Sequence, residues 1–457
     1  MTMQRDPIIA IATAKGRASV GIIRLSGQGV LPLSKALCHS ELQPRHASLI
    51  KFHDDKQDPI DEGLAIFFQA PNSYTGEDVL ELQCHGSSAA LGVLLDHCLK
   101  LGLPYGLRLA QPGEFTERAF LNGKIDLAQA EAIADLIDAS SSLAAKSAAK
   151  SLKGEFSKKI DVFLKSLIEL RALTEATLDF PEEEIDFIKQ HDVINRLNNI
   201  LSSIKDVKKA AQQGAIIRDG LTIVLVGQPN VGKSSLMNAL AGEEVAIVTD
   251  VAGTTRDRLK ETIQIDGIPL HIVDTAGLRE TSDSVEQIGI ERTWKSIEQA
   301  DLVLHLMDAT HGAQVSETDK SLILRIQQVC SKQVPVKMVW NKIDQLSTFK
   351  KSVDEEIYVS AKTGRGLDEL KKELLQVAGW QPEAEGGILA RKRHIEALLE
   401  AESHITVALE LLLKEAQFIE LAAEEMRLAQ EALARITGQF LPDDLLGEIF
   451  STFCIGK

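Results

Sequence analysis

The sequence predicts a multidomain protein that combines α/β and all-α parts: an N-terminal α+β domain, a helical domain split into two segments, and a P-loop α/β domain inserted between them. Three observations predict it. At 457 residues the chain exceeds one ordinary core, since single cores stop growing near roughly 250–300 residues. Residues 220–378 alternate strand-like and helix-like runs, the signature of a parallel sheet covered by helices. The helical texture before that block, about 125–215, returns after it, about 388–437. One helical domain interrupted by an insertion is the economical reading, because domain termini usually lie close together. The expected boundaries are 1–122, 123–218, 219–379 and 380–457.

Taken in order, residues 1 to about 120 mix short β-like runs, IIAIAT and VGIIRLSG, with Gly/Pro turns. DVLELQC (78–84) alternates, which predicts a half-buried strand. Its period puts Val79, Glu81 and Gln83 on one face and Leu80, Leu82 and Cys84 on the other. DLAQAEAIADLIDASSSLAAKSAAKSL carries apolar residues at helical spacing. Pro181 in LDFPEEEIDF is expected to separate two long helices, and the acidic triplet after it suits a solvated helix start. TIVLVG, DLVLHLMD and VPVKMVWNK read as short buried strands. KETIQIDGIPLHIVDT reads as two strands joined at Asp266-Gly267, a strong hairpin signal.

Hydrophobic residues at 44% and charged residues at 25% give the balance of a globular protein. No apolar run approaches the roughly 20 residues of a membrane span. MTMQRDPIIAIATAKG lacks the long apolar segment of a secretory signal. A cytoplasmic location without a membrane partner is therefore expected. Cys38, Cys84, Cys98, Cys330 and Cys454 form no CxxC pair, which suits a reducing compartment. The net charge of −16 argues against a surface that binds nucleic acid throughout. Local basic runs such as KDVKK (205–209) and RKRH (391–394) remain, and such runs ordinarily form solvated helix faces.

GQPNVGKSS (227–235) contains G-x-x-x-x-G-K-S as Gly227, Gly232, Lys233 and Ser234. It follows an expected strand and precedes a helix-compatible segment, the context a P-loop needs. Its N–H groups would cradle phosphates; Lys233 would reach the β- and γ-phosphates and the Ser234 hydroxyl would hold Mg²⁺. DTAG (274–277) places Asp274 in the metal's outer sphere and the Gly277 N–H at the γ-phosphate. In NKID (341–344), Asp344 can accept two hydrogen bonds from guanine that adenine cannot supply. SAK (360–362) fits the loop that backs the base. In this order the motifs read as a GTPase of the translation-factor-related class.

Leu278 stands where many GTPases carry a water-orienting Gln. Another group must then orient the water, and more positive charge must reach the leaving phosphate. An arginine finger is one solution; a monovalent cation is another. Asn230 offers a neutral oxygen suited to potassium, or it braces the loop. TDVAGTTRD (249–257) adds backbone carbonyls and the Thr254 and Thr255 hydroxyls.

With VGIIRLSG, PNSYTGEDVLELQCHG, LRLAQPGEFTERAFLNGKIDLAQAEA, GTTRD, DTAGLRETSDSVEQIGIERT and the terminal CIGK, the chain resembles the MnmE (TrmE) family of tRNA modification GTPases essentially end to end. The resemblance implies an N-terminal folate-binding and dimerisation domain, a discontinuous helical domain and an inserted Ras-like P-loop GTPase domain. It implies a potassium-stimulated GTPase activated by dimerisation of its G domains. It also implies a homodimer that forms a heterotetramer with the flavoprotein MnmG, which carries FAD. The substrate would be certain tRNAs, receiving an aminomethyl or carboxymethylaminomethyl group at carbon 5 of the wobble uridine. The one-carbon donor would be a reduced folate, 5-formyl- or methylene-tetrahydrofolate.

Carried over by motif, the resemblance implies GTP contacts from Asn230, Val231, Gly232, Lys233, Ser234 and Ser235. It adds Thr249, Asp250, Val251, Ala252, Gly253, Thr254 and Thr255. It further adds Asp274, Thr275, Ala276, Gly277, Asn341, Lys342, Asp344, Ser360, Ala361 and Lys362. Potassium would be held by Asn230, Thr249, Val251 and Thr254, and Mg²⁺ by Ser234 and Thr255. Glu286 would help position the catalytic water beside Lys233, which answers the problem set by Leu278. The folate site would use Arg24, Glu81, Lys124 and Lys457. One departure is HGS at 85–87 where HGG is usual, and Ser87 would be strained if the position needs positive φ. His85 by itself reads as a satisfied loop or core histidine. A switch GTPase in ribosome assembly, without alkylation chemistry, is the rival reading.

FCIGK (453–457) has the length of a prenylation box, but Gly456 is not aliphatic and Lys457 is an unusual last residue. LLGEIFSTFCIGK is apolar and is expected to dock as a short helix, carrying Cys454 and Lys457 to the folate-binding surface of the same subunit or of a dimer partner. Cys454 is then an active-site candidate as nucleophile, proton donor or orienting group.

Overall fold

A computed structural model of the chain describes residues 6–14, 16–179, 192–242, 260–274, 294–295, 297–311, 315–330, 334–346, 356–381, 388–414, 418–439, 443–451 and 453–456. The chain forms two compact units, 1–134 with 434–457, and 135–433. Among the described residues no helix is long and apolar enough to cross a membrane.

The first unit is built on a six-stranded sheet. Its strands are β1 (Ile8–Ile11), β2 (Ala18–Ser26), β3 (Ser48–His53), β4 (Pro59–Phe68), β5 (Val79–Gly86) and β6 (Arg108–Leu109), in the order β3-β4-β5-β2-β1-β6. Only the short β1–β6 pair is parallel. The alternation in 78–84 holds from Leu80 on: Leu80, Leu82 and Cys84 are buried and Glu81 and Gln83 half-buried, whereas Val79, expected on the face of Glu81, is buried as well. Ile23 and Leu25 join that buried face from β2, and Leu33, Leu37, Leu91 and Leu94 cover it from the helices Val30–Cys38 and Ser88–Gly102. The same period sends Arg24 and Glu81 to the opposite face, directly across from each other.

The C-terminal residues complete this unit. The helix Asp443–Ser451 places Phe450 and Phe453 in a cluster with Leu127, Ala130 and Phe120. The Phe450 ring lies 6.2 Å from that of Phe120 and 5.4 Å from that of Phe453. Removing a fully buried aromatic of this kind costs about 3–5 kcal/mol, so the tail is firmly anchored. Beyond the helix, the Gly113 N–H donates to the Cys454 carbonyl at 3.4 Å.

The second unit holds the other sheet and most of the long helices. The helices Glu155–Asp179 and Val193–Asp219 flank the position of Pro181, which itself lies outside the described residues. The helix Lys392–Leu412 packs along Val193–Asp219, with Lys208 and Glu402 paired between them. The strands are β7 (Leu221–Val226), β8 (Lys260–Ile265), β9 (Ile268–Asp274), β10 (Leu302–Asp308), β11 (Val336–Asn341) and β12 (Ile357–Tyr358), ordered β12-β11-β10-β7-β9-β8. All pairs are parallel except the hairpin β8–β9. That hairpin turns at Asp266 and Gly267, whose φ values of 51° and 78° give the left-handed pair a two-residue turn needs. β10 is buried along nearly its whole length, as a strand covered on both faces must be.

The sheet's core runs on into the flanking helices. Ala144, Ala148, Ile217 and Leu389 share one cluster with Ile263, Leu270, Leu304 and Val339. At the hairpin, Gly267 lies against Leu143, and Gln264 donates to the Ser140 carbonyl. Gln213, buried within Val193–Asp219, donates to the Gly379 carbonyl at 2.8 Å and accepts from the Gln381 N–H at 2.9 Å.

Candidate functional site

In a parallel sheet the carboxyl ends of the strands share one edge, where ligands of such folds bind. β7, β9, β10, β11 and β12 therefore bring GQPNVGKSS, Asp274, Asp308, NKID and SAK to one place. The P-loop leads from β7 into the helix Lys233–Ala241, so N–H groups of the loop and the helix start face the same edge. Lys233 Nζ donates to the Gly227 carbonyl at 2.7 Å and approaches that of Gln228 at 3.4 Å.

Asn341 joins three of the motifs. Its Nδ2 donates to the Val231 carbonyl at 2.9 Å, and its Oδ1 accepts from the Ala361 N–H at 3.0 Å. A Cβ at Gly232 would stand 2.4 Å from Asn341 Nδ2, and φ there is 98°, so only glycine admits the contact. Asp344 Oδ1 accepts from the Ser360 hydroxyl at 2.6 Å, and that hydroxyl also accepts from the Thr363 N–H. The Asp344 carboxylate is thus oriented by the loop that carries Ser360.

Lys342 pairs with Asp308, a residue the motif reading did not include. The Lys342 ammonium lies 2.6 Å from Asp308 Oδ2, and Thr310 donates to Oδ1 through its N–H and its hydroxyl. Partial burial alone would raise the Asp308 pKa, but the bonds from Lys342 and Thr310 outweigh it and hold it at about 2. Sequence reasoning missed it because the pairing depends on β10 lying in register beside β11, where Asp308 stands opposite Asn341.

Asn230 on the loop and Ser234 at the start of the helix are exposed. Ser235 and Lys362 are also exposed. Thr249, Asp250, Val251, Ala252, Gly253, Thr254, Thr255, Thr275, Ala276, Gly277, Leu278 and Glu286 lie outside the described residues, as do Lys457 and the Asp274 side chain. Among the described residues no cluster of His, Cys, Asp or Glu could hold a metal ion.

In the first unit, Arg24 Nε and Nη2 reach one oxygen of Glu81, at 2.9 and 2.8 Å, which leaves Oε2 as an acceptor. The guanidinium lies 5.3 Å from the Tyr74 ring centre and 5.8 Å from that of Phe115. The guanidinium is thus held by one carboxylate and lies near two rings, of which Phe115 is fully buried. Lys124 is exposed and donates to the Pro71 carbonyl at 3.0 Å; no described contact joins it to the Arg24–Glu81 pair. Cys454 is exposed, whereas the other four cysteines are buried. Burial pushes Cys38 up to about 11 and Cys84 up to about 12, which makes them inert packing. Ser87 has φ −89° and N-caps a helix, so the HGS departure carries no strain. His85 is exposed, with Nδ1 bonded to Asp61 at 2.7 Å.

The family model described as the MnmE helical domain matches residues 127–454, and that described as the GTP-binding protein TrmE N-terminus matches 7–124. A tRNA modification GTPase MnmE from Cupriavidus pinatubonensis is 54% identical over all of both chains. The chain belongs to the MnmE family. An MnmE from Acidovorax sp. is likewise 54% identical over 99% of each chain. Among solved structures, the G domain of the T. maritima FeoB iron transporter is 27% identical and covers 35% of this chain and 98% of its own, with a TM-score of 0.24. Membership in MnmE accords with the expected fold class, an N-terminal α+β part with helical and Ras-like P-loop parts.

Proposed function

We propose that this MnmE-family GTPase is potassium-activated and works as a homodimer with the flavoprotein MnmG. The pair adds an aminomethyl or carboxymethylaminomethyl group to carbon 5 of the wobble uridine of certain tRNAs, with a reduced folate as one-carbon donor. The parts would be 1–122 for folate and dimerisation, 123–218 with 380–457 as the helical domain, and 219–379 as the G domain.

The observation that carries the reading beyond a simple switch is the seat of the C-terminal tail. The Gly456 carbonyl accepts from Arg24, so the exposed Cys454 stands near the Arg24–Glu81 pair. A ribosome-assembly switch has no use for a thiol there. Glu81 would accept from the pterin N–H edge, Arg24 would engage its polar groups, and Lys124 and Lys457 would take the glutamate carboxylates.

On the nucleotide edge, Lys233 would leave its loop carbonyls to neutralise the β- and γ-phosphates. Asp344, already fixed by Ser360, would select guanine. Ser234 and Thr255 would hold Mg²⁺, and Asn230, Thr249, Val251 and Thr254 would hold potassium. These cations supply positive charge to the phosphates as negative charge shifts to the leaving oxygen. Glu286 would orient the attacking water where Leu278 cannot. GTP-dependent association and release of G domains would then reorganise the complex.

Nucleoside mass spectrometry of tRNA from a deletion strain tests the reading. Loss of the carbon-5 group at the wobble uridine is expected. Normal tRNA together with a ribosome-maturation defect would overturn it.

A further inference from the structure

We infer that Gln228 is a positioning residue for the P-loop, held through Ser316 by the N-cap of the helix Glu317–Val329. The inference rests on the guanine-nucleotide reading above. A phosphate cradle works when its N–H groups are fixed before the ligand arrives, and a loop held at one end only must be ordered on binding. Asn341 holds the second half, through the Val231 carbonyl. Gln228 holds the first half, with Nε2 donating to Ser316 Oγ at 2.7 Å.

The anchor is itself fixed. Ser316 Oγ also accepts from the Asp319 N–H at 3.1 Å, which makes it the cap of the helix. The Asp319 carboxylate lies 3.2 Å from His305 Nε2, and these side chains are 9% and 1% exposed. His305 sits on β10, in register with Val226 of β7 and Met338 of β11. A hydrogen-bonded line therefore runs from the Asp319 N–H through Ser316 to Gln228, with the Asp319 carboxylate close to His305 of the central strand but not hydrogen-bonded to it. The Gln228 and Gly227 carbonyls are also the acceptors of Lys233. A shift of Gln228 would move the carbonyls that hold Lys233 beside the loop before the phosphates arrive.

The test is equilibrium titration of the full chain with mant-GDP and mant-GTP, alongside thermal unfolding. Gln228→Ala leaves the helix cap intact and is expected to weaken both nucleotides about fivefold to tenfold with little change in Tm. Ser316→Ala should weaken them similarly and also lower Tm, and Ser316→Thr should restore both. The double variant should bind no more weakly than the worse single variant. Wild-type affinity in Gln228→Ala, or additive losses in the double variant, would overturn the inference alone. Failure of the unaltered protein to bind either nucleotide would overturn the site reading and this inference with it.

Discussion

Arg24 and Gly456 stand 432 positions apart in sequence and meet in space, the Arg24 Nη1 donating to the Gly456 carbonyl at 3.4 Å. The same guanidinium grips Glu81 through Nε and Nη2. One side chain thus ties the sheet's outer face to the end of the chain.

Arg24→Ala is expected to abolish binding of 5-formyl-tetrahydrofolate in calorimetric titration of the full chain while GTP turnover stays near normal. Arg24→Lys should bind weakly, because an ammonium cannot make the planar fork to Glu81. Unchanged affinity in both variants would place the folate elsewhere.

Cys454→Ser should leave GTP hydrolysis intact and lower tRNA modification. Gly456→Ala should lower modification by another route. Its Cβ would lie 2.6 Å from the Ile11 carbonyl at φ 96°, so the tail must move. Hydrogen exchange separates the two: faster exchange in 453–456 is expected for Gly456→Ala only.

Asn341→Ala removes the bonds to Val231 and Ala361 together. Leaving such groups unpaired costs roughly 1–3 kcal/mol. Mant-GDP should therefore bind about 5- to 150-fold more weakly, and affinity within twofold of the unaltered chain would contradict the bridging role.

Glu114 supplies a pH dependence. Burial alone would raise its pKa, but bonds from Arg108, the Gln111 N–H and Arg118 hold it at about 2. A depressed carboxyl stabilises the fold fully above its ordinary value of 4.5. That contribution, on the order of 3 kcal/mol, is lost as pH falls from there toward 2. Acid titration by circular dichroism should show Glu114→Gln less stable at neutral pH, the gap to the unaltered chain closing through this window. A gap constant with pH would refute the assignment.

GTP turnover should be much faster in potassium than in sodium, and Asn230→Ala should remove the difference. Equal rates of the unaltered protein in the two salts would count against a cation at the loop.

What was legible in the sequence was local. The Asp266-Gly267 turn, the alternation from Leu80 to Cys84 and the strand–loop–helix of the P-loop each depend on neighbours within a few residues, and each is found as read, although Val79 is buried where the alternation left it outside. Pairings made only by the fold were not legible. Asp308 gains its partner from the next strand, and Gln228 meets Ser316 from 88 positions away. Ser87 needed its backbone angle, since spacing alone cannot distinguish an extended N-cap from a left-handed turn. For the tail, the contact of Gly456 with Arg24 spans nearly the whole chain and has no local signal.

Gln213 grips Gly379 and Gln381 from the helix that leads into β7. The entry and exit of the nucleotide-binding segment are therefore stapled to a single amide. A fragment cut at 219 and 379 would lose that staple and strip Ile217, Ala144 and Leu389 from the sheet's core. Such an excised segment should melt earlier and self-associate more readily than the intact chain. In this sense the segment is grafted into its host: its hydrophobic foundation is partly borrowed from the helices on either side.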